Sequence, residues 1–281
     1  MSLRLPEGRR FRRNGRGDPR HADTLLLTMA GRLFDDLAGA PEDALWAGLE
    51  EAGLTAALAP EALGGAGLGL DDGLGVMRVA AAAGLAVPLA ETMLAGWLLA
   101  RGGLRLPAGP VAIAPAAAED RFRIDVAGLA HGRAGRVARA GTAGHLAVLA
   151  DGPDGRAVVA LVAGAACTVL RREDGPAGMV IIEQVKPLAL GAVPVWLDRG
   201  RWLLMLAIAE AQRAAGAGPA EMVSAAIAAT EALDRAVSAG DGPDGPALWR
   251  QAGAALCRCT RAAIDIPADP VPGNSRGRKE T

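Results

Sequence analysis

The feature that most constrains this chain is a change in the spacing of its apolar residues, which happens twice. From Thr24 to Leu37, Leu25, Met29, Leu33 and Leu37 recur every four residues beside Leu26 and Phe34, forming one broad face at helical period. Pro41 stands where a second helix begins, with Glu42 and Asp43 at its positive end and Leu45 and Leu49 on one face. Gly53 can take the left-handed conformation that ends it. Asp71 and Asp72 offer N-caps for a helix to about Ala83, and Pro88 with Glu91 opens another that passes Trp97 and stops at Gly102.

After Pro110 the period shortens. "VAIA", "HLAVLA", "AVVALV" and "MVIIEQV" lie between 111 and 197, separated by "DGPDG" and "REDGPAG" turns, and read as strands at hairpin spacing. Beyond Pro194 the helical period returns over 199–215, 219–239 and 246–264, with "SAGDGPDGP" between the last two. This order predicts an α+β fold: an N-terminal helical domain over 22–108, a small antiparallel β-barrel or sandwich over 109–197, and a C-terminal helical domain over 198–266. The Arg-rich start, 1–21, and the Pro- and Gly-containing end, 267–281, have no apolar period and are expected to be disordered tails.

Composition narrows the function classes. With 281 residues, 51% of them apolar, the chain can bury a sizeable core. Thirty basic residues against 31 acidic ones give a charge of −1, so nothing in the balance points to nucleic acid or an anionic membrane. The Arg-rich start also lacks a defined nucleic-acid-binding motif. No apolar run approaches the ~20 residues of a membrane span, and no signal-peptide core opens the chain, so a cytoplasmic location is expected. Three cysteines and three histidines make neither a disulfide framework nor a four-ligand zinc site, and no metal is expected. Cys257 and Cys259 read as a helical pair with at least one partly buried. His145 reads as a strand-edge residue and His131 as a turn residue.

Ala and Gly are in such excess that any likeness to known proteins must rest on rarer residues. "ALWAGLEEAGLTAALAPEALGGAGLGLDDGLGVM" and "GLAVPLAETMLAGWLLARGGL" supply them: a W..L.E.GL run, a PE..GG.GL turn and a P..ET.LA..LL helix. Over about 22–105 this resembles the acyl-CoA dehydrogenase family, and Trp46, Glu51, Pro60, Glu61, Gly64, Gly65, Gly67, Pro88, Glu91 and Thr92 carry the resemblance. In that family the glycine-rich turn closes one side of the acyl and flavin cleft. A plain loop between two helices is the other reading of it.

Further along, "GRAGRVARAGTAGHLAVLADG" is similar to the family stretch G.K.WITN...A..LLV.A., in which a Trp and a Thr abut the flavin. Those positions fall on Arg136 and Ala138, with Val137 between them. The family's T-E-P-x-x-G-S-D meets "IAPAAAED", where Pro115 and Asp120 remain. Two later helices are similar as well, but the R.QFG..I..FQ and Q.HGG.G.T segments have no counterpart, which implies a shortened C-terminal bundle.

The resemblance implies an FAD-dependent oxidoreductase of fatty acid metabolism that oxidises the CH–CH bond between the α and β carbons of an acyl-CoA or other acyl thioester. It also implies a homo- or hetero-oligomer with another acyl-CoA dehydrogenase chain. Such chemistry needs a carboxylate to take the α-proton while the flavin accepts the hydride, and burial raises a Glu toward that task. The candidate bases are Asp198, which also reads as an N-cap, and Glu210, which also reads as a solvated or ion-paired helix residue. Pro115, Arg136, Val137 and Ala138 are the candidate cofactor-binding residues. The alternative is a non-catalytic or degenerate subunit that pairs with a complete dehydrogenase, docking through apolar faces left uncovered on "WLLMLAIAEAQ" and "ALWRQAGAALC".

Overall fold

The computed structural model describes residues 24–171, 177–216 and 218–264, so the expected tails at 1–21 and 267–281 lie outside the described residues. Four helices come first: α1 (Thr24–Asp36), α2 (Glu42–Glu51), α3 (Leu70–Ala82) and α4 (Leu89–Arg101). Pro41 caps α2, and Gly53 takes φ 74° just past its end. The N-cap of α3 is Gly69 rather than Asp71 or Asp72, which fall in the first turn of the helix. There their charges meet the helix's positive end.

The turn between α2 and α3 folds its backbone onto itself. Gly67 N–H donates to the Ala59 carbonyl at 2.8 Å and Leu68 N–H to that of Ala57 at 2.9 Å. A Cβ on Gly65 would meet the Ala59 carbonyl oxygen at 2.0 Å, so no other residue fits that place without moving the chain.

Eight strands follow: β1 (Val111–Ala114), β2 (Arg121–Ile124), β3 (Ala130–Val137), β4 (His145–Asp151), β5 (Ala157–Ala163), β6 (Thr168–Arg171), β7 (Gly178–Val185) and β8 (Ala189–Ala192). They form one sheet in the order β6-β7-β3-β2-β4-β5-β8, with β1 also paired to β4. The expected all-antiparallel arrangement needs correction. β1 runs parallel to β4, Val111 opposite His145, and β2 meets β4 in parallel at Arg123 and Asp151. The β2–β3 hairpin acts as the crossover between two parallel neighbours, a role that turn signals alone do not reveal. His131 lies inside β3 rather than in a turn, opposite Arg123.

The two faces of the sheet have different partners. On one, Ala112, Ala114, Phe122, Ile124, Leu146, Val148, Val162, Val180 and Ile182 form a small core of their own. On the other, Val111, Ile113, Ala147, Leu149, Val159 and Leu161 continue into the core of the helices. Helix α4 makes that connection, and it is buried nearly all round, from Leu89 to Leu99, as a helix packed on every side must be. Its end meets β8 so closely that a Cβ on Gly191 would lie 2.2 Å from the Gly102 carbonyl oxygen.

Helices α5 (Arg199–Gly216), α6 (Ala220–Ala239) and α7 (Gly245–Ile264) complete the order. A buried polar chain ties three helices together: Arg78 donates to Gln212 at 2.8 Å, and Gln212 donates to Thr230 at 2.8 Å. The expected bare faces of α5 and α7 are not bare, since Trp202, Met205, Ile208, Trp249, Ala252 and Ala255 are all buried. The exposed large apolar side chains lie instead on α1 and on the sheet and its connections, among them Leu170, Met179, Leu188, Leu190 and Val195. Ala226, Ala229, Ala232 and Ala236 of α6 are buried as well.

Candidate functional site at the strand–helix corner

The residues singled out on β1 and β3 converge at one corner of the sheet, and Asp120 is what gathers them. Its carboxylate is 2% exposed. Oδ2 accepts the N–H groups of Ala116 and Ala117, each at 2.9 Å, and Oδ1 accepts that of Gly135 at 3.0 Å. One buried side chain thus ties the loop after Pro115 to β3 just before Arg136. A buried carboxylate with three donors is satisfied, and the donors themselves are used up.

Trp202 closes the same corner from α5. It is fully buried, and its indole N–H donates to the Pro115 carbonyl at 3.0 Å. It stacks on Trp97 of α4, centroids 6.5 Å apart at 16°, and Trp97 meets Trp196, which meets Trp249. Arg101 lies over Trp97 at 4.6 Å and Arg201 over Trp249 at 5.4 Å. Four of the five tryptophans therefore fill the junction between sheet and C-terminal helices.

This arrangement tests whether Pro115, Arg136, Val137 and Ala138 suit a flavin ring. Pro115 is buried with its carbonyl engaged by Trp202. Val137 is wholly buried within the sheet's own core, Ala138 offers no polar side chain, and Arg136 is exposed. The nearby N–H groups of Ala116, Ala117 and Gly135 all point at Asp120. The Pro115 carbonyl and these three N–H groups are thus engaged within the chain and are not offered to a flavin ring.

The two candidate bases stand at the α5 end of the corner and beyond it. Asp198 is exposed, and its Oδ1 accepts the Arg201 N–H at 2.9 Å, the geometry of an N-cap. Glu210 has its side chain 70% exposed and lies 3.4 Å from Arg213. Arg213 also pairs with Glu91 of α4 at 3.0 Å, and that carboxylate is far less exposed. Both candidate carboxylates thus face solvent and lie beside arginines. Pairing with Asp125 at 2.8 Å occupies His131, and backbone N–H groups of Leu129 and Ala127 together with His131 hold the Asp125 carboxyl below its ordinary range. His145 starts β4 with Nδ1 buried and unpartnered.

Away from the corner, a recess of about 340 Å³ is lined by Glu42, Asp43, Trp46, Ala47, Glu50 and Pro110. Arg139 holds Glu42 at 3.0 Å, and Glu50 accepts the Gly109 N–H at 2.9 Å. Among the described residues no group of three His, Cys, Asp or Glu side chains could hold a metal ion, and no helix is long and apolar enough to cross a membrane. Cys257 is exposed and Cys259 buried, as the helical-pair reading expects. The family resemblance of "IAPAAAED" kept Asp120 beside Pro115. It missed Trp202, whose only signal was a large aromatic three residues into a helix that begins at the strand corner.

No protein-family model and no curated protein sequence matches this chain. Solved structures do. The Tcur3481-Tcur3483 steroid ACAD G363A variant, an acyl-CoA dehydrogenase, superposes with a TM-score of 0.61 and 25% identity over 88% of each chain. The ChsE4-ChsE5 complex from Mycobacterium tuberculosis gives 0.59 at 17% identity, over 85% of this chain and 84% of that one. TdsC from Paenibacillus sp. A11-2, in complex with FMN and indole, gives 0.56 at 14% identity, over 86% and 84%. The mixed helix and sheet fold is thus one that this chain shares with acyl-CoA dehydrogenase-like flavoproteins. This chain is acyl-CoA dehydrogenase-like in its fold.

Proposed function

We propose that this chain serves the α,β-dehydrogenation of an acyl-CoA or other acyl thioester, and that it does so joined to a second acyl-CoA dehydrogenase chain that holds the flavin ring and supplies the base. The observation that carries this is the internally bonded corner within an acyl-CoA dehydrogenase-like fold: three backbone donors on Asp120, the Pro115 carbonyl on Trp202, and both candidate carboxylates, Asp198 and Glu210, exposed. The likeness to chains solved as ChsE4-ChsE5 and Tcur3481-Tcur3483, whose names join two proteins, supports a hetero-oligomer. In such an assembly FAD, the flavin implied by the sequence resemblance, would accept the substrate's hydride. This chain's part is to keep its corner rigid, dry and correctly placed against the partner, with 22–108, 109–197 and 198–266 as its working units in a cytoplasmic setting.

The test is to assay electron-acceptor reduction with a panel of acyl-CoA thioesters, first with the chain alone and then after co-expression with a full-length dehydrogenase from the same genome. Turnover only in the co-expressed pair is expected. Robust turnover by the chain alone, abolished by Glu210→Gln or Asp198→Asn, would overturn the proposal and name the base.

A further inference from the structure

Helices α4, α5 and α7 and the loop before α5 bring four indoles into one line, and the line has a dry end and a wetter one. Trp202 stacks on Trp97 with centroids 6.5 Å apart, Trp97 meets Trp196 at 6.3 Å, and Trp196 meets Trp249 at 5.9 Å. Each step lies within the range of direct ring contact. Trp202 is 0% exposed and Trp97 2%, whereas Trp196 and Trp249 are each 6% exposed. The dry end is anchored on the Pro115 carbonyl, beside the loop that Asp120 holds. Farther along, a Cβ on Gly240 would lie 3.5 Å from the Trp196 indole nitrogen, so that edge of the ring faces the turn after α6.

Composition gives this line a chemistry. The chain has five tryptophans and no tyrosine, so indoles are its most easily oxidised aromatic groups, and Trp46 alone stands outside the line. Indoles in contact fill a core, and they also let an electron pass from one ring to the next, because tunnelling falls steeply with separation. Nearby charges decide where an electron vacancy rests. Arg101 over Trp97 at 4.6 Å and Arg201 over Trp249 at 5.4 Å are attracted to intact rings and would repel a ring that had lost an electron. Trp249 also has its indole nitrogen buried without an acceptor, so its proton has nowhere to go. A positive charge in the wholly buried Trp202 is costly. Trp196 escapes all three handicaps: among the described residues no arginine lies over its ring, and it touches solvent.

We propose that the four tryptophans carry a one-electron vacancy from the Pro115 corner to Trp196 and so protect that corner from radical oxidants. A hydroxyl radical, as one such oxidant, takes an electron from Trp202 and becomes hydroxide. Trp97 returns an electron to Trp202, and Trp196 returns one to Trp97. The Trp196 radical cation gives its indole proton to water, and a thiol in solution then restores the indole by donating one hydrogen atom. The path does not rest on the dehydrogenase reading; a flavin held nearby by a partner chain is only one source of such oxidants, through its reaction with oxygen.

The experiment couples a ruthenium polypyridyl photo-oxidant to the full chain through Glu119→Cys, at an exposed place on the Asp120 loop, with the exposed thiol removed by Cys257→Ser. After flash excitation with a sacrificial electron acceptor, transient absorption should show an indole radical, and peptide mass spectrometry should find the oxygenated product at Trp196. Trp97→Phe keeps an aromatic ring in the core but breaks the line. It should lower the Trp196 product roughly ten-fold or more and raise that at Trp202, since the two remaining indoles are out of ring contact. Trp46→Phe should change neither. Trp196→Phe is the second break, at a less buried ring, and should also leave the product at Trp202. Circular dichroism checks that each variant is folded. A product confined to Trp202 with all five tryptophans present, a Trp196 product that Trp97→Phe leaves intact, or the absence of any indole radical would overturn the path.

Discussion

The helical region from α2 to α4 and the strand corner from Pro115 to Ala138 relate to the acyl-CoA dehydrogenase pattern in opposite ways. In the first, the residues that resemble the family also hold the structure: Thr92 is buried and accepts the Val111 N–H at 3.1 Å, Glu91 pairs with Arg213, and Gly65 lets the turn close on itself. In the second, the backbone path of the fold is present, but the side chains named for cofactor contact are an exposed Arg, a buried Val and an Ala. What fills the corner is Asp120 and Trp202, both turned inward. The difference teaches that one set of family-like residues can hold the framework while the residues at the named cofactor positions sit among packing and hydrogen bonds of the chain's own.

Several substitutions break or sharpen that contrast. Trp202→Ala removes a fully buried ring, its stack on Trp97 and its hydrogen bond to Pro115, and should cost about 3–5 kcal/mol in denaturant unfolding. Trp202→Phe, which keeps most of the ring, should cost clearly less. Asp120→Ala leaves three backbone donors without their acceptor, and about 3 kcal/mol is expected. Hydrogen exchange should show Ala116, Ala117 and Gly135 losing protection together; unchanged exchange at all three would mean that the corner does not depend on Asp120. Gly191→Ala forces a methyl group toward the Gly102 carbonyl and should destabilise the α4–β8 junction by about 1–3 kcal/mol. Asp198→Ala removes only an exposed N-cap, for about 1 kcal/mol, and Asp198→Asn should be nearly silent. The smallest effect concerns thiols. Cys257 should react quickly with a thiol reagent, while burial pushes Cys259 up and slows it, so fast labelling of both would place α7 differently.

Helices were legible because their period is written in large residues, from Leu26 and Phe34 on α1 to Trp249 on α7. The four-residue strands β2, β6 and β8 were not, since "RFRI", "TVLR" and "ALGA" carry little apolar signal and gain their place only by pairing with neighbours. Parallel pairing of β1 with β4 was equally hidden, because nothing local distinguishes the strand that will be chosen across a hairpin. At the site, Pro115 and Arg136 were placed by resemblance, and the structure brings their loops together through Asp120. Trp202 could not be foreseen as a lid on that corner, since its partner lies 87 residues away in the chain.

The central claim is that this chain's corner is closed by its own side chains and holds no flavin ring unaided. The most direct measurement is the flavin absorbance of the chain purified alone, again after incubation with FAD or FMN and gel filtration, and once more as the co-expressed pair. The account predicts a colourless chain that retains no flavin through the column, and a yellow pair. A chain that emerges alone with one flavin per molecule, and loses it on Trp202→Phe, would contradict it.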